Sequence, residues 1–420
     1  MIKSRKDIEL MAPAGSYDAL TAAIKAGADS VYFGAGNLNM RSKSSYNFGI
    51  DDLKNTSEIC HENDIKSYLT LNTVIYNKDI QQMKELVDAA GEFGISAIIA
   101  SDMAVINYVI EKGLELHLST QCNVSNIDAV RWYSKYADVI VLARELSLDQ
   151  VAAITRAIEE EKITGPSGEL VRIEIFCHGA LCMAVSGKCY LSLHENNHSA
   201  NRGACLQNCR RSYVVRDKES GYELEIENER IMSPKDLNTV AFLDKILDAG
   251  VRVLKVEGRG RPPEYVKRVC TVYNQAIDAY LDGSYSIQKI DEWNEQLSTV
   301  FNREFWDGYY LGQKMGKWSD RYGSRATKKK VYIGQVTNYY TKISVGEFKI
   351  MNDELAVGDE ILVSGPTTGA YEMKVEEIRL DDESVKNVKK GDLVSIAVTE
   401  QIRRNDKLYK YVPIDTIKLK

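Results

Sequence analysis

The chain has 420 residues, 44% hydrophobic and 27% charged, with a net charge of −6. That length gives room for roughly two or three domains with ample apolar core, and the acidic balance excludes polyanion binding over the whole surface, leaving only a local basic groove for it. The opening residues "MIKSRKDIELMAPAGSYDAL" lack the apolar stretch of a signal peptide, and nowhere do about 18 apolar residues run together, so no membrane contact and a cytoplasmic location are expected.

In chain order, one unit recurs through the first 260 or so residues: an amphipathic helix, a glycine, then a short apolar strand. "AAIKAGADSVYFGA", "EFGISAIIASD", "EKGLELHLSTQ" and "LDAGVRVLKVEG" are instances, with Gly27, Gly94, Gly113 and Gly250 placed as left-handed helix C-caps. Strands buried on both faces read as continuous apolar runs. The runs are "IELMA", "SVYF", "SYLTL", "AIIA", "ELHL", "VIVLA", "RIEIF" and "VLKV". Eight strands alternating with helices predict an α/β (β/α)8 TIM-like barrel over residues 1–327, with an open doubly wound sheet as the competing architecture.

The repeat breaks once, between "RIEIF" and "VLKV", where roughly 75 residues replace a simple crossover. This cysteine-rich insertion, 177–235, includes a predicted hairpin, "SYVVRDKESGYELEIE", and should lie over the C-terminal end of the barrel. After the basic linker "DRYGSRATKKK" (320–330) the pattern alternates, predicting a small C-terminal antiparallel β-barrel over 328–420.

Five of the eight cysteines crowd the insertion: Cys177, Cys182, Cys189, Cys205 and Cys209. With no export signal, such crowding reads as metal ligation. Structural zinc sites favour paired knuckles two to four residues apart, and only the last pair fits; iron–sulfur clusters accept wider, uneven spacing. Cys177 ends a strand and reads as a buried apolar residue. The expected ligands of one 4Fe-4S cluster are therefore Cys182, Cys189, Cys205 and Cys209, with zinc on the same four as the alternative. The insertion also holds a literal HExxH, His194 to His198, the zincin pattern. Its surroundings, "HENNHSANRG", favour turns over a helix, so both histidines are expected to be polar loop residues.

The cysteine segments "IEIFCHGALCMAVSGKCYLS" and "NRGACLQNCRRSY" resemble the signature of peptidase family U32, the so-called collagenase-like proteases. "MAPAGSYDAL", "ADSVYFG", "YLTLNT", "STQCNVSN", "VIVLARELS", "MSPKDL" and "LKVEGRGRPPEYV" extend the resemblance along the chain. In the last of these, the "GRGR" stretch replaces the more usual Met-Lys-Ser before Pro-Glu-Tyr-Val. The resemblance implies an iron–sulfur enzyme of RNA or small-molecule hydroxylation. Its nearest branch is the tRNA hydroxylation proteins, which form 5-hydroxyuridine at the wobble position and depend on prephenate. Sister branches modify ribosomal RNA cytidine or act in ubiquinone synthesis, and the family name keeps a peptidase as the alternative. The implied partners are tRNA and prephenate, and a homo- or hetero-oligomer is compatible. The C-terminal domain resembles the β-barrel of translation factors, a module that can dock tRNA.

Polar residues at the C-terminal ends of barrel strands are the chemical candidates. Glu174, His178, Asn72, Gln121 and Glu257 are taken as catalytic, His178 as a proton carrier near neutral pH. Asp102, Arg144, Lys255 and Arg259 are taken as substrate-binding, the cations suited to a dicarboxylate or a phosphate backbone. Asn72 and Gln121 would equally serve to satisfy backbone groups. No G-x-S-x-G elbow supplies a nucleophile.

Overall fold

A computed structural model describes residues 2, 4–43, 48–214, 216, 218–221, 232–312, 316–319 and 323–414. The eight predicted strands all form. They are β1 (Glu9–Pro13), β2 (Ser30–Phe33), β3 (Lys66–Leu71), β4 (Ala97–Ala100), β5 (Leu116–Leu118), β6 (Val139–Val141), β7 (Arg172–Ala180) and, after a short extra strand β8 (Asp236–Asn238), β9 (Val253–Val256). Each is parallel to its neighbour, and β9 closes the ring by pairing with both β1 (Leu10 against Leu254) and β7 (Ile175 against Leu254). The architecture is a TIM-like barrel, and the open-sheet alternative falls on that closure.

Among the described residues eight helices connect the strands up to β9: α1 (Tyr17–Lys25), α2 (Asp51–Glu62), α3 (Ile80–Glu92), α4 (Met103–Glu111), α5 (Ile127–Tyr133), α6 (Leu148–Glu161), α7 (Leu191–Asn196) and α8 (Leu243–Asp248). Ser16, Asp102, Asn126 and Ser147 cap α1, α4, α5 and α6, each accepting a hydrogen bond from an otherwise orphaned amide. The helix-ending glycines take the positive φ their positions demand, 76° at Gly27 and 88° at Gly250. Helices α9 (Pro263–Leu281) and α10 (Ile287–Ser298) follow β9, and a two-residue strand β10 (Phe305–Trp306) pairs with β8.

The sequence pattern places the end of the seventh strand too early. β7 runs on through Cys177 to Ala180, with a register shift against β9 between Phe176 and His178. Cys177 is thus an extra, bulged residue, and the strand beyond it bends away to pair antiparallel with β8. Gly179 makes this possible: its φ is 106°, and a Cβ there would sit 2.4 Å from the carbonyl oxygen of Glu257. The second arm of the predicted insertion hairpin, 222–227, lies outside the described residues.

Among the described residues beyond 327, eight strands form one antiparallel sheet, two short ones pair separately, and all surround one apolar core. Lys328–Lys330, expected in a linker, begin the first of these strands, because they pair with Tyr411–Pro413. The sheet leans on the outer faces of α1 and α9. Ala22 packs on Leu362 and Ala370, and the ion pairs Arg268–Glu372 (2.9 Å) and Lys25–Glu400 (2.7 Å) flank that contact. No helix among the described residues is long and apolar enough to cross a membrane.

Candidate active site

A cavity of about 160 Å³ opens at the C-terminal end of the barrel. Its wall is made by the ends of the strands and the residues just past them: Tyr32, Thr70 and Asn72, Ser119 and Gln121, Arg144, Phe176, then Lys255, Glu257 and Arg259. Its roof is the insertion, which contributes Cys182, Cys189, Cys205 and Cys209. None of the four is in a disulfide; Cys182 is exposed and the other three are half-buried. Burial pushes the Cys209 thiol up to about 11; Arg210 opposes this, and Cys182, Cys205 and Cys189 add to it, which puts the four within electrostatic reach of one another. Among the described residues no group of three or more His, Cys, Asp or Glu side chains is disposed to hold a metal ion directly. The four thiols share the lining of this one cavity. Cys177 is apart from them, fully buried with Sγ 3.4 Å from the Lys255 carbonyl oxygen.

The wall is cationic and largely pre-ordered. Lys255 Nζ donates to Glu174 Oε1 (2.7 Å) and lies 4.6 Å from the Tyr32 ring centroid. Glu174 is wholly buried beneath the floor rather than at the rim, and its Oε2 has no hydrogen-bond partner. Arg259 donates to Asn39 Oδ1 (3.0 Å) and Thr70 Oγ1 (2.8 Å); burial lowers it to about 10, so it stays charged at neutral pH. Glu257 Oε1 accepts from Arg41 (2.7 Å). Burial alone would raise its carboxyl, but Arg41, Arg261 and Arg144 outweigh this and hold it at about 2. An ionised carboxylate with so low a value accepts hydrogen bonds and orients, and is a weak base. Asn72 donates to Ser119 Oγ and Gln121 Oε1 (3.3 Å each) and accepts from the Met40 amide (3.2 Å), making a polar patch in the wall.

Two predicted site residues are elsewhere. Asp102 spends both carboxylate oxygens on backbone amides, Oδ1 accepting from Ala104 and Oδ2 from Ile75 at 2.9 Å each, so it caps α4 and ties in the β3–α3 loop. Asp102→Ala is expected to cost about 1 kcal/mol of stability, read by thermal melting, and to leave ligand affinity at the mouth unchanged. His178 does not reach the mouth either. The bulge turns it toward the helical layer, where its ring contacts those of Tyr265, Tyr273 and Phe305 at centroid distances of 5.6–6.0 Å. Burial, helped by Arg261, lowers it to about 3, so it is a neutral imidazole at physiological pH and not the proton carrier expected.

The family model of peptidase family U32 matches residues 15–320. The chain belongs to peptidase family U32. Among U32 and related proteins, it is 58% identical over 405 residues to a collagenase of Porphyromonas gingivalis, covering 96% of this chain and 98% of that one. It is 31% identical to a tRNA hydroxylation protein of Bacillus subtilis, covering 90% and 88% of the two chains. It is 35% identical to a 23S rRNA 5-hydroxycytidine synthase of Escherichia coli over 67% of this chain and 41% of that one.

The peptidase in the U32 name finds no matching machinery in the HExxH. Leu191–Asn196 is helical, so His194 stands on a helix and not in the loop expected; the two leucines give that single turn an apolar anchor. The helix ends at Asn197, whose φ is 55°, and His198 lies beyond it with Nδ1 2.5 Å from the Asn196 carbonyl oxygen. The two imidazoles therefore do not share a helical face. Glu195, the would-be general base, accepts from Asn208 (2.6 Å) beside Cys209 and braces the cysteine loop.

Several site residues of this U32 chain escaped the sequence reading. Arg41 lies in the loop after β2, in a stretch with no strand or motif signal. Tyr32 and Phe176 look like ordinary apolar strand residues, yet their rings carry Lys255 and Arg144, the latter with its guanidinium carbon 4.1 Å from the ring centroid. Only the "GRGR" run, with Arg259 and Arg261, offered a readable clue.

Proposed function

We propose that this protein is an iron–sulfur enzyme that hydroxylates a pyrimidine of RNA, the wobble uridine of tRNA being the target, with prephenate as co-substrate. The observation that carries the reading is the convergence of four free thiols over a barrel mouth whose wall is cationic and polar. The tRNA and rRNA hydroxylation relatives point the same way. The residues present fit a 4Fe-4S cluster: Cys182, Cys189, Cys205 and Cys209 would hold it, and Arg41 and Arg210 would offset its negative charge. When bound, such a cluster supplies one-electron transfer.

This chain's own residues supply the rest. Lys255 and Arg259 present fixed positive charge to a carboxylate or phosphate, Asn72 and Gln121 offer amide groups to a base edge, and Tyr32 and Phe176 give apolar faces. An unpaired anticodon base can be splayed into such a mouth at small unstacking cost. The 328–420 domain, held against α1 and α9, is proposed to grip the tRNA body.

The test is a nucleoside profile by mass spectrometry from cells with and without the gene. Loss of 5-hydroxyuridine is expected; an unchanged level, with no second copy of the gene present, defeats the reading. A rival reading is a peptidase, favoured by the name of the 58% identical relative. Cleavage of denatured collagen by the anaerobically purified protein, abolished by zinc chelation, would establish it instead.

A further inference from the structure

Beside the mouth lies a smaller cavity of about 120 Å³, which shares Arg41, Arg144, Glu257 and three of the thiols with it. Five arginines reach this space, and three of them are committed. Arg41 pairs with Glu257, Arg303 pairs with Asp236 (3.2 Å), and Arg210 donates to the carbonyl oxygens of Leu181 and Pro234 and to Ser233. Arg144 and Arg261 remain. Among the described residues neither has an ion-pair partner or a side-chain hydrogen bond, and Arg144 Nε is buried without one. Each is held by an aromatic face instead, Arg144 over Phe176 at 4.1 Å and Arg261 over Phe301 at 3.6 Å.

Stacking fixes the plane of a guanidinium and leaves its N–H edge free for a ligand oxyanion. Two such groups from different elements, one after β6 and one after β9, feel the Glu257 carboxylate only at a distance and close no salt bridge with it, which leaves their N–H edges open to an anion between them. Resting on the RNA-hydroxylation reading above, we infer that Arg144 and Arg261 form a phosphate subsite that takes the phosphodiester adjoining the base in the mouth. The small cavity lies directly beside the mouth and has room for a tetrahedral oxyanion. Its opening into the larger cavity suits a phosphate that is one sugar away from the occupant of that cavity.

The test uses the full chain and a synthetic anticodon stem-loop with an unpaired uridine at the wobble position, its affinity measured across a salt series. For Arg261→Gln, and separately for Arg144→Gln, the slope of log affinity against log salt is expected to fall by about 0.7, the share of one single-strand phosphate. A neutral methylphosphonate at the linkage next to that uridine should weaken binding to the unaltered protein and add nothing to either variant; this arm needs no substitution that could disturb folding. Slopes unchanged in both variants, or variants that lose iron yet bind RNA normally, overturn the subsite and leave the RNA reading standing. No binding of the stem-loop by the unaltered protein overturns both.

Discussion

Cys205→Ser is expected to remove the brown chromophore and the bound iron from anaerobically purified protein, and with them 5-hydroxyuridine formation, while Cys177→Ser keeps the iron. The contrast follows from position. The Cys205 thiol lines both cavities and acts electrostatically on both Arg41 and Cys209, which is why it is placed in the proposed ligand set. Cys177 is only five residues from Cys182 in sequence, yet its thiol faces the Lys255 carbonyl in a packed bulge. Cys182→Ser, Cys189→Ser and Cys209→Ser should behave as Cys205→Ser does. Thiolate ligation requires a deprotonated sulfur, and an ordinary thiol is protonated at neutral pH, so iron uptake should release protons. Metal analysis of the four variants checks the claim. Full iron in any of them sinks the four-thiol site, and one zinc per chain in the unaltered protein sinks the cluster.

The barrel was readable because a strand buried on both faces has few ways to be written. "AIIA" and "VLKV" cannot be amphipathic, and a glycine with φ near 76° can close the preceding helix where most residues would be strained. The crowding of the thiols was readable directly, as five cysteines in some 30 residues, and the fold brings four of them to the barrel mouth. What the sequence did not disclose was orientation. Nothing in "RIEIFCHGA" announces a bulge, yet that one extra residue decides that His178 faces Tyr273 and not the mouth. Asp102 follows a strand end, as a substrate ligand would, and local pattern does not distinguish this from a helix cap. Long-range pairs such as Arg41 with Glu257 leave no periodic trace at all, because their partners are set by barrel closure.

Closure also creates a pH-dependent element of the fold, at the opposite end of the barrel from the site. Glu9 opens β1 and points inward. Its Oε1 accepts from Ser30 Oγ and Tyr68 Oη, and its Oε2 from Arg172 at the start of β7, each at 2.7 Å. Burial would raise the carboxyl, but Arg172 and then His117 and the two hydroxyls more than offset it and bring it down to about 2 from an ordinary 4.5. A carboxyl depressed in the folded state stabilises the fold above its unfolded value, and the contribution fades as pH falls from about 4.5 through about 2. At neutral pH it is on the order of 3 kcal/mol. Arg172→Leu leaves Glu9 buried with its hydroxyl donors and without its cation, so the variant should be destabilised at pH 7 by about 3 kcal/mol, the low end for a broken buried pair because Arg172 is one-third exposed. Its carboxyl then rises, and the deficit relative to the unaltered protein should shrink as the pH drops below about 4.5. Urea unfolding at pH 7 and pH 4 reads both halves. Glu9→Gln, which keeps the shape and can still meet Ser30 and Tyr68, should cost less than Arg172→Leu at pH 7; an equal or larger cost would show that the hydroxyl network, and not the ion pair, holds the lower end of the barrel.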